Sequence, residues 1–371
     1  MKFEIEKKIL LYFLQKVSNL ITKNTLSPIL ENILIEVKKN TLFLTATNLE
    51  SEIQVNTCNI IPYIQGSVTV SGKKLLAVCR KLSLDSNIII SLKKDKLEIL
   101  SKLSFYSLTT IPSDNYPSFK QIKHKISFFI SQNSFKNIIF TTQFSIAIQD
   151  LRNFFSGLLL EIRNQHLYAI ATDGYRMAMC KTPLKHLCKF YSVILPRKCA
   201  IELLRFLNNS SNLAFVKISN NYFQIHVDNT IFTSKILTAN FPKYSSVILK
   251  NPEKKIIINT FLFKEALSRI IILSNEKFRG ICITNDKNQL KITTSNQYDE
   301  KAYEILEIIY SNVNIKVSIN AHYLLDVLNV IESQEICLFI NNSNSRIQIQ
   351  QNDYENYYNY KSIYILMPLK I

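Results

Sequence analysis

Between residues 7 and 21 apolar side chains return every three or four positions. Leu10, Phe13, Leu14, Val17, Leu20 and Ile21 share one face, leaving Lys8, Tyr12, Gln15 and Asn19 on the other. This spacing predicts an amphipathic helix with its apolar stripe on a core. The stretch LPRKCAIELLRFL (195–207) repeats the pattern, with Ala200, Leu203, Leu204 and Leu207 inward and Lys198, Glu202 and Arg205 outward. Elsewhere short β-rich runs replace the helical period. NIIISL (87–92) and LEIL (97–100), joined through Lys-Lys-Asp, predict a hairpin.

The same succession of patterns occurs three times. Helical segments recur at 71–82, 195–207 and 319–331, and strand-like runs at 29–37, 154–162 and 277–285. The stretches LTATNLESEI, AIATDGYRMAM and LKITTSNQYDE echo one another from Thr45, Ala171 and Thr293, in steps of 126 and 122 residues. Pro117, Pro242 and Pro368 each end a strand-like run, 125 and 126 residues apart. A period near 125 carried by four separate features reads as a triplicated domain: 1–122, 123–250 and 251–371. Two helices packed on antiparallel sheets, three times over, is an α+β architecture. QQNDYENYYNYKS (350–362) stands outside the scheme and reads as a long loop before the last strand.

Composition changes the picture in two ways. The 45 Lys and Arg against 28 Asp and Glu give +17, which permits a polyanionic partner, nucleic acid first. Five glycines, no tryptophan and abundant Asn, Ile and Lys also fit AT-rich codon drift, so charge is permissive only. The seven cysteines are odd in number and no two are separated by two residues, which points to a reducing compartment without a disulfide framework. Glu4 and Glu6 interrupt what would be the positive region of a secretion signal, and no run of about 18 apolar residues occurs. A cytoplasmic location is expected.

The chain lacks GxxxxGK[ST], GxGxxG and GxSxG, and its histidines are scattered without metal spacing. No catalytic residue, metal or cofactor is expected. The alternative is a metal-dependent, nuclease-like enzyme using Asp150 and Asp173 as a carboxylate pair. It ranks lower, because single acidic residues are more often turns or solvated faces. Around Asp173, HLYAIAT and YRMAMC flank Asp-Gly, which predicts a two-residue type I′ turn with Tyr175 and Arg176 directed outward.

ATDGYRMAM, LPRKCAIELLR, FPKYSSVILKNPEKK, ILSNEKFRGICI and the terminal YILMPLKI resemble the bacterial sliding-clamp family, the beta subunits of DNA polymerase III. The resemblance runs the whole length, apart from a few residues inserted near 352–360. It implies a head-to-tail homodimeric ring around double-stranded DNA, read without sequence preference, with helices lining the hole. It also implies no reaction, and partners that include the polymerase alpha subunit and the clamp loader, held through short peptide motifs.

The resemblance assigns residues too. A partner-peptide cleft maps to Phe155, Thr172, Gly174, Tyr175, Arg176, Met177, Pro242, Ser246, Val247, Asn320, Tyr323, Arg346, Ile365, Leu366, Met367, Pro368 and Leu369. DNA contact maps to Lys23, Lys73, Gln149, Arg152, Phe154, Arg197 and Lys198, and the dimer contact to Ile272 and Leu273 facing Tyr106 and Leu108. Four departures stand out. Ser246 replaces a usual Arg, Arg346 a small residue, and Leu103 and Phe105 replace basic residues. The last two imply a more apolar interface. The third repeat's helix offers Asp326 and no Lys or Arg, so the lining is not uniformly basic.

Overall fold

The structure is a computed structural model that describes residues 1–21, 27–83, 86–119, 123–185, 189–249, 255–275, 279–286, 288–311, 314–340, 346–352 and 361–369. Lys23, the repeat boundaries near 122 and 250, and most of the segment 350–362 lie outside the described residues.

Six α-helices occur among them: α1 (Lys7–Ser18), α2 (Gly72–Lys81), α3 (Gln132–Phe140), α4 (Arg197–Phe206), α5 (Thr260–Ile270) and α6 (Ala321–Val330). Two fall in each sequence repeat, and each follows directly on a strand. Polar side chains close three of the junctions. The Ser131 hydroxyl accepts from the Ser134 amide, Asn259 from Leu262, and Asn320 from His322 and Tyr323, satisfying amides that the first helical turn leaves unpaired. The stripe read for α1 is buried throughout. In α4 Ala200, Leu203 and Leu207 are buried, whereas Leu204 is only half-buried and Glu202 is half-buried too. Lys7 is buried, its ammonium donating to the Leu82 carbonyl.

Two compact units result, one of residues 1–130 with 212–236 and the other of 131–211 with 237–371. In the first, thirteen strands form a single sheet. Its ladder joins two repeats, because Thr230–Lys235 pairs antiparallel with Ser51–Thr57, Phe232 opposite Ile53. Phe3, Leu10, Leu14, Ile33 and Leu75 are buried in this unit, where α1 packs against α2.

The second unit holds a nine-stranded and a four-stranded sheet. Arg176–Pro183 pairs with the closing strand Lys361–Leu366, setting Met177 opposite Ile365. Here α3 packs on α4, and α5 packs on α6 over a core that includes Phe263, Leu267, Leu324, Leu328 and Tyr364. The compact units differ from the sequence repeats for a physical reason: backbone hydrogen bonding crosses both repeat junctions. None of the described helices is long and apolar enough to cross a membrane.

Candidate partner cleft and interaction surfaces

The connection between His166–Thr172 and Arg176–Pro183 is built by short polar side chains. The Thr172 hydroxyl donates to the Arg176 carbonyl at 2.7 Å and accepts from the Gly174 amide at 3.1 Å. The Asp173 carboxylate accepts the amides of Tyr175 and Arg176, each at 3.0 Å. The same device recurs in the first repeat. There Thr47 donates to the Ser51 carbonyl and accepts from Leu49, while Asn48 accepts from Glu50 and Ser51. In the third repeat Asn296 accepts from Tyr298 and Glu300. These are Asx turns, in which a side-chain oxygen replaces a backbone acceptor.

Two expectations are corrected here. The last cross-strand pair is Thr172 with Met177, leaving four connecting residues, and of Asp173 and Gly174 only Gly174 has positive φ, at 91°. This is not a type I′ turn, because Asp173 spends its side chain on the loop amides instead of adopting the left-handed conformation. Nor does Arg176 point outward. Its side chain is only 12% exposed, and its guanidinium donates to Asp173 at 3.0 Å, Asp326 at 2.6 Å and the Phe144 carbonyl at 2.9 Å. Its flat face lies 4.3 Å from the centre of the Tyr323 ring, a cation–π contact. Tyr175 is exposed as expected.

Beside this loop lies a cavity of about 180 Å³, lined by Phe155, Thr172, Gly174, Arg176, Met177, Pro242, Lys243, Tyr244, Val247, Ile365 and Met367. All but Lys243 and Tyr244 belong to the expected cleft. Tyr244 is buried and donates to Glu161 at 2.8 Å; burial pushes its phenol well above the usual range, and that hydrogen bond adds to the effect. Tyr244 lies two residues past Pro242 in FPKYS, a stretch that carries the resemblance without assigning this residue.

The other expected cleft residues do not line this cavity. Asn320 caps α6, Tyr323 stacks on Arg176, and Ser246 donates back to the Lys243 carbonyl. Leu366 is buried in the closing strand, Arg346 is half-buried just before Ile347–Gln351, and Pro368 follows Met367. Leu369 lines a separate cavity of about 650 Å³ over the four-stranded sheet, against Gly280.

Of the residues expected at DNA, Lys73 on α2 and Lys198 on α4 are exposed. Gln149, at φ 56°, lies in an exposed loop with Ile148 and Leu151. Arg152 forms an ion pair with Asp150 at 2.9 Å and covers the Phe155 ring at 4.3 Å, so this loop adjoins the cavity. Phe154 is half-buried, edge-on to Phe155. Arg197 is half-buried and donates to the Ile146 carbonyl at 2.7 Å; burial, and then the charge of Arg176, hold its pKa below the usual arginine range.

Asp150 is held by the side chain and amide of Arg152, and Asp173 by the Arg176 guanidinium and the amides of Tyr175 and Arg176. The Arg152 hydrogen bonds hold the Asp150 carboxyl down to about 2. Among the described residues no group of three His, Cys, Asp or Glu could hold a metal ion. The nuclease-like reading has no constellation to rest on.

Two sheet edges complete the surface. In the first unit Ser104–Ile111 pairs with Lys96–Ser101 and, through Ile111 and Thr110, with Gly66–Ser71. Among the described residues this leaves 104–108 paired on one side only, with Leu103, Phe105 and Tyr106 exposed and Leu108 half-buried. In the second unit Lys301–Glu307 ends the four-stranded sheet and exposes Tyr303 and Ile305. Ile272 is 78% exposed in the 3₁₀ turn Ile271–Leu273, and Leu273 is half-buried. Open apolar edges of this kind are templates for pairing.

Comparison with known proteins gives one result along the whole chain. Sequence profiles of the DNA polymerase III beta subunit match as its N-terminal domain over residues 1–120, its central domain over 129–243 and its C-terminal domain over 245–369. The beta sliding clamps of Buchnera aphidicola from the hosts Acyrthosiphon pisum and Rhopalosiphum padi are 41% and 40% identical, each match covering all of both chains. The crystal structure of the DNA polymerase III subunit beta from Pseudomonas aeruginosa superposes with a TM-score of 0.95 at 32% identity, again over the full length of both. The chain therefore belongs to the DNA polymerase III beta subunit family, the beta sliding clamps, which are non-catalytic processivity factors.

Proposed function

We propose that two copies of this chain close head to tail into a ring around double-stranded DNA and tether the polymerase alpha subunit and the clamp loader by short peptide motifs. The three clamp domains are taken as 1–122, 123–250 and 251–371, in the cytoplasm. The observation that carries the reading is the cavity beside Gly174, where nine of the expected cleft residues converge from four separate stretches of chain. Apolar walls with a few orienting polar groups suit an extended peptide.

The interface reading rests on the edge Ser104–Ile111 with Tyr106 and Leu108, and on Ile272 and Leu273, whose turn packs against Gln289–Ser295, the strand paired with the edge Lys301–Glu307. A contact between unlike surfaces repeats around a ring and closes when the rotation allows. Lys73, Gln149, Arg152, Phe154, Arg197 and Lys198 are assigned to the DNA side, as is Lys23. They meet phosphates and not base edges, as sliding over any sequence requires. The ion pair of Arg152 and the carbonyl bond of Arg197 leave the exposed Lys73 as the simpler phosphate contact.

Two measurements test this together. Sedimentation should give twice the 43.0 kDa chain mass. A fluorescein-labelled tail peptide of the alpha subunit should bind the wild-type chain and lose affinity on Val247→Asp, which puts a charge into the apolar wall. A monomer, or a peptide indifferent to Val247→Asp, contradicts the reading.

A further inference from the structure

We propose that Asp326, which lies on α6 and does not line the cavity, is the positioning residue that sets the shape and charge preference of the cleft through Arg176. The inference rests on the cleft reading above. Arg176 forms part of the cavity wall, and its guanidinium is engaged on every side. Two of its hydrogen bonds go to nearby segments of the second repeat, the Asp173 carboxylate and the Phe144 carbonyl. The third, to Asp326, is the shortest at 2.6 Å and reaches across 150 residues of sequence. Tyr323, one turn before Asp326 on α6, supplies the ring under the guanidinium. One helix of the third repeat thus holds an arginine of the second from two directions.

Two consequences follow. The first concerns shape. The Arg176 carbonyl receives the Thr172 hydroxyl and its amide is held by Asp173, so the side chain and the loop that carries Gly174 move together. Releasing the side chain shifts a wall of the cavity. The second concerns charge. Asp173 and Asp326 surround a single guanidinium, leaving it no surplus positive charge for a bound peptide. Without Asp326 the guanidinium and Asp173 balance, one negative charge is gone from beside the wall, and Lys243, which also lines the cavity, is less offset. The cleft then discriminates less against an acidic residue.

The test uses the full-length chain with Asp326→Ala and Asp326→Asn, and two fluorescein-labelled peptides. One is the tail of the alpha subunit, and the other is the same tail with one neutral residue changed to Glu. Asp326→Ala should lose about tenfold affinity for the unaltered tail, the weight of one hydrogen bond between charged groups. The acidic tail should lose much less, so that the ratio of the two dissociation constants moves by about fivefold or more. Asp326→Asn, which keeps an acceptor without the charge, should fall between. Unchanged circular dichroism and sedimentation exclude unfolding as the cause. Equal losses for both peptides, or affinities within twofold of wild type, overturn the inference and leave the cleft reading intact. A wild-type chain that binds neither peptide overturns both.

Discussion

Glu52 offers a prediction whose magnitude follows from its surroundings. It lies on the strand Ser51–Thr57, only 7% exposed, and its carboxylate accepts the Phe119 amide at 3.0 Å. Burial raises its pKa from 4.5 to about 7, and the Phe119 amide offsets only part of that rise. A raised carboxyl works against the fold at high pH. Below pH 4.5 both folded and unfolded chains are protonated and nothing is lost. Between 4.5 and 7 the unfolded chain releases its proton while the folded chain keeps it. Above 7 the folded carboxylate ionises in its buried seat and the cost is complete, at about 3 kcal/mol.

Glu52→Gln removes the ionisation and retains an acceptor for the Phe119 amide. The variant should therefore be more stable than wild type by about 1 kcal/mol at pH 5 and about 3 kcal/mol at pH 8. Urea unfolding followed by far-ultraviolet circular dichroism at both pH values measures the difference. Comparing variant with wild type at each pH cancels every other titrating group. An advantage that stays constant or shrinks as pH rises refutes the reasoning, because a packing effect does not titrate.

Two further predictions concern the surfaces. Ile272→Ala with Leu273→Ala should sediment as a folded monomer, because each truncation removes about 1–3 kcal/mol of apolar burial and both contacts of the ring lose it at once. A persisting dimer misplaces the interface. Deleting 367–371 removes Met367 from the cavity wall together with the hydrogen bond that its amide donates to the Tyr175 carbonyl, and should abolish tail-peptide binding in a polarisation titration while the dimer survives. Unchanged affinity contradicts the assignment of that wall.

The repeats, the six helices and the α1 stripe were legible because their information is local and periodic. Burial of Lys7 was not, since its acceptor, the Leu82 carbonyl, belongs to the far end of another helix. The orientation of Arg176 was hidden for the same reason. Its partners Phe144 and Asp326 lie 32 and 150 residues away. The turn at Asp173 was misread because Asp-Gly fits a type I′ turn by propensity, while the competing Asx hydrogen bonds and the Arg176 ion pair decide the outcome. The sheet ladders across repeat junctions were equally invisible, because the pairing of Met177 with Ile365 depends on how whole repeats meet. The cleft residues came from family resemblance, not from any pattern in the chain, and Lys243 and Tyr244 show what residue-by-residue transfer leaves out.

The central claim is encirclement, and retention on DNA of defined topology tests it most directly. A basic groove binder holds circular and linear DNA alike and is stripped by salt as counterions reclaim the phosphates. A closed ring is held by topology. The clamp loader should place the protein on a nicked circle, where it should remain at high salt, and cutting that circle to a linear molecule should release it. Lys73→Ala with Lys198→Ala should lower loading efficiency and the salt dependence of direct binding without shortening retention on the circle. Loss of the loaded protein from circular and linear DNA alike at high salt would contradict the account.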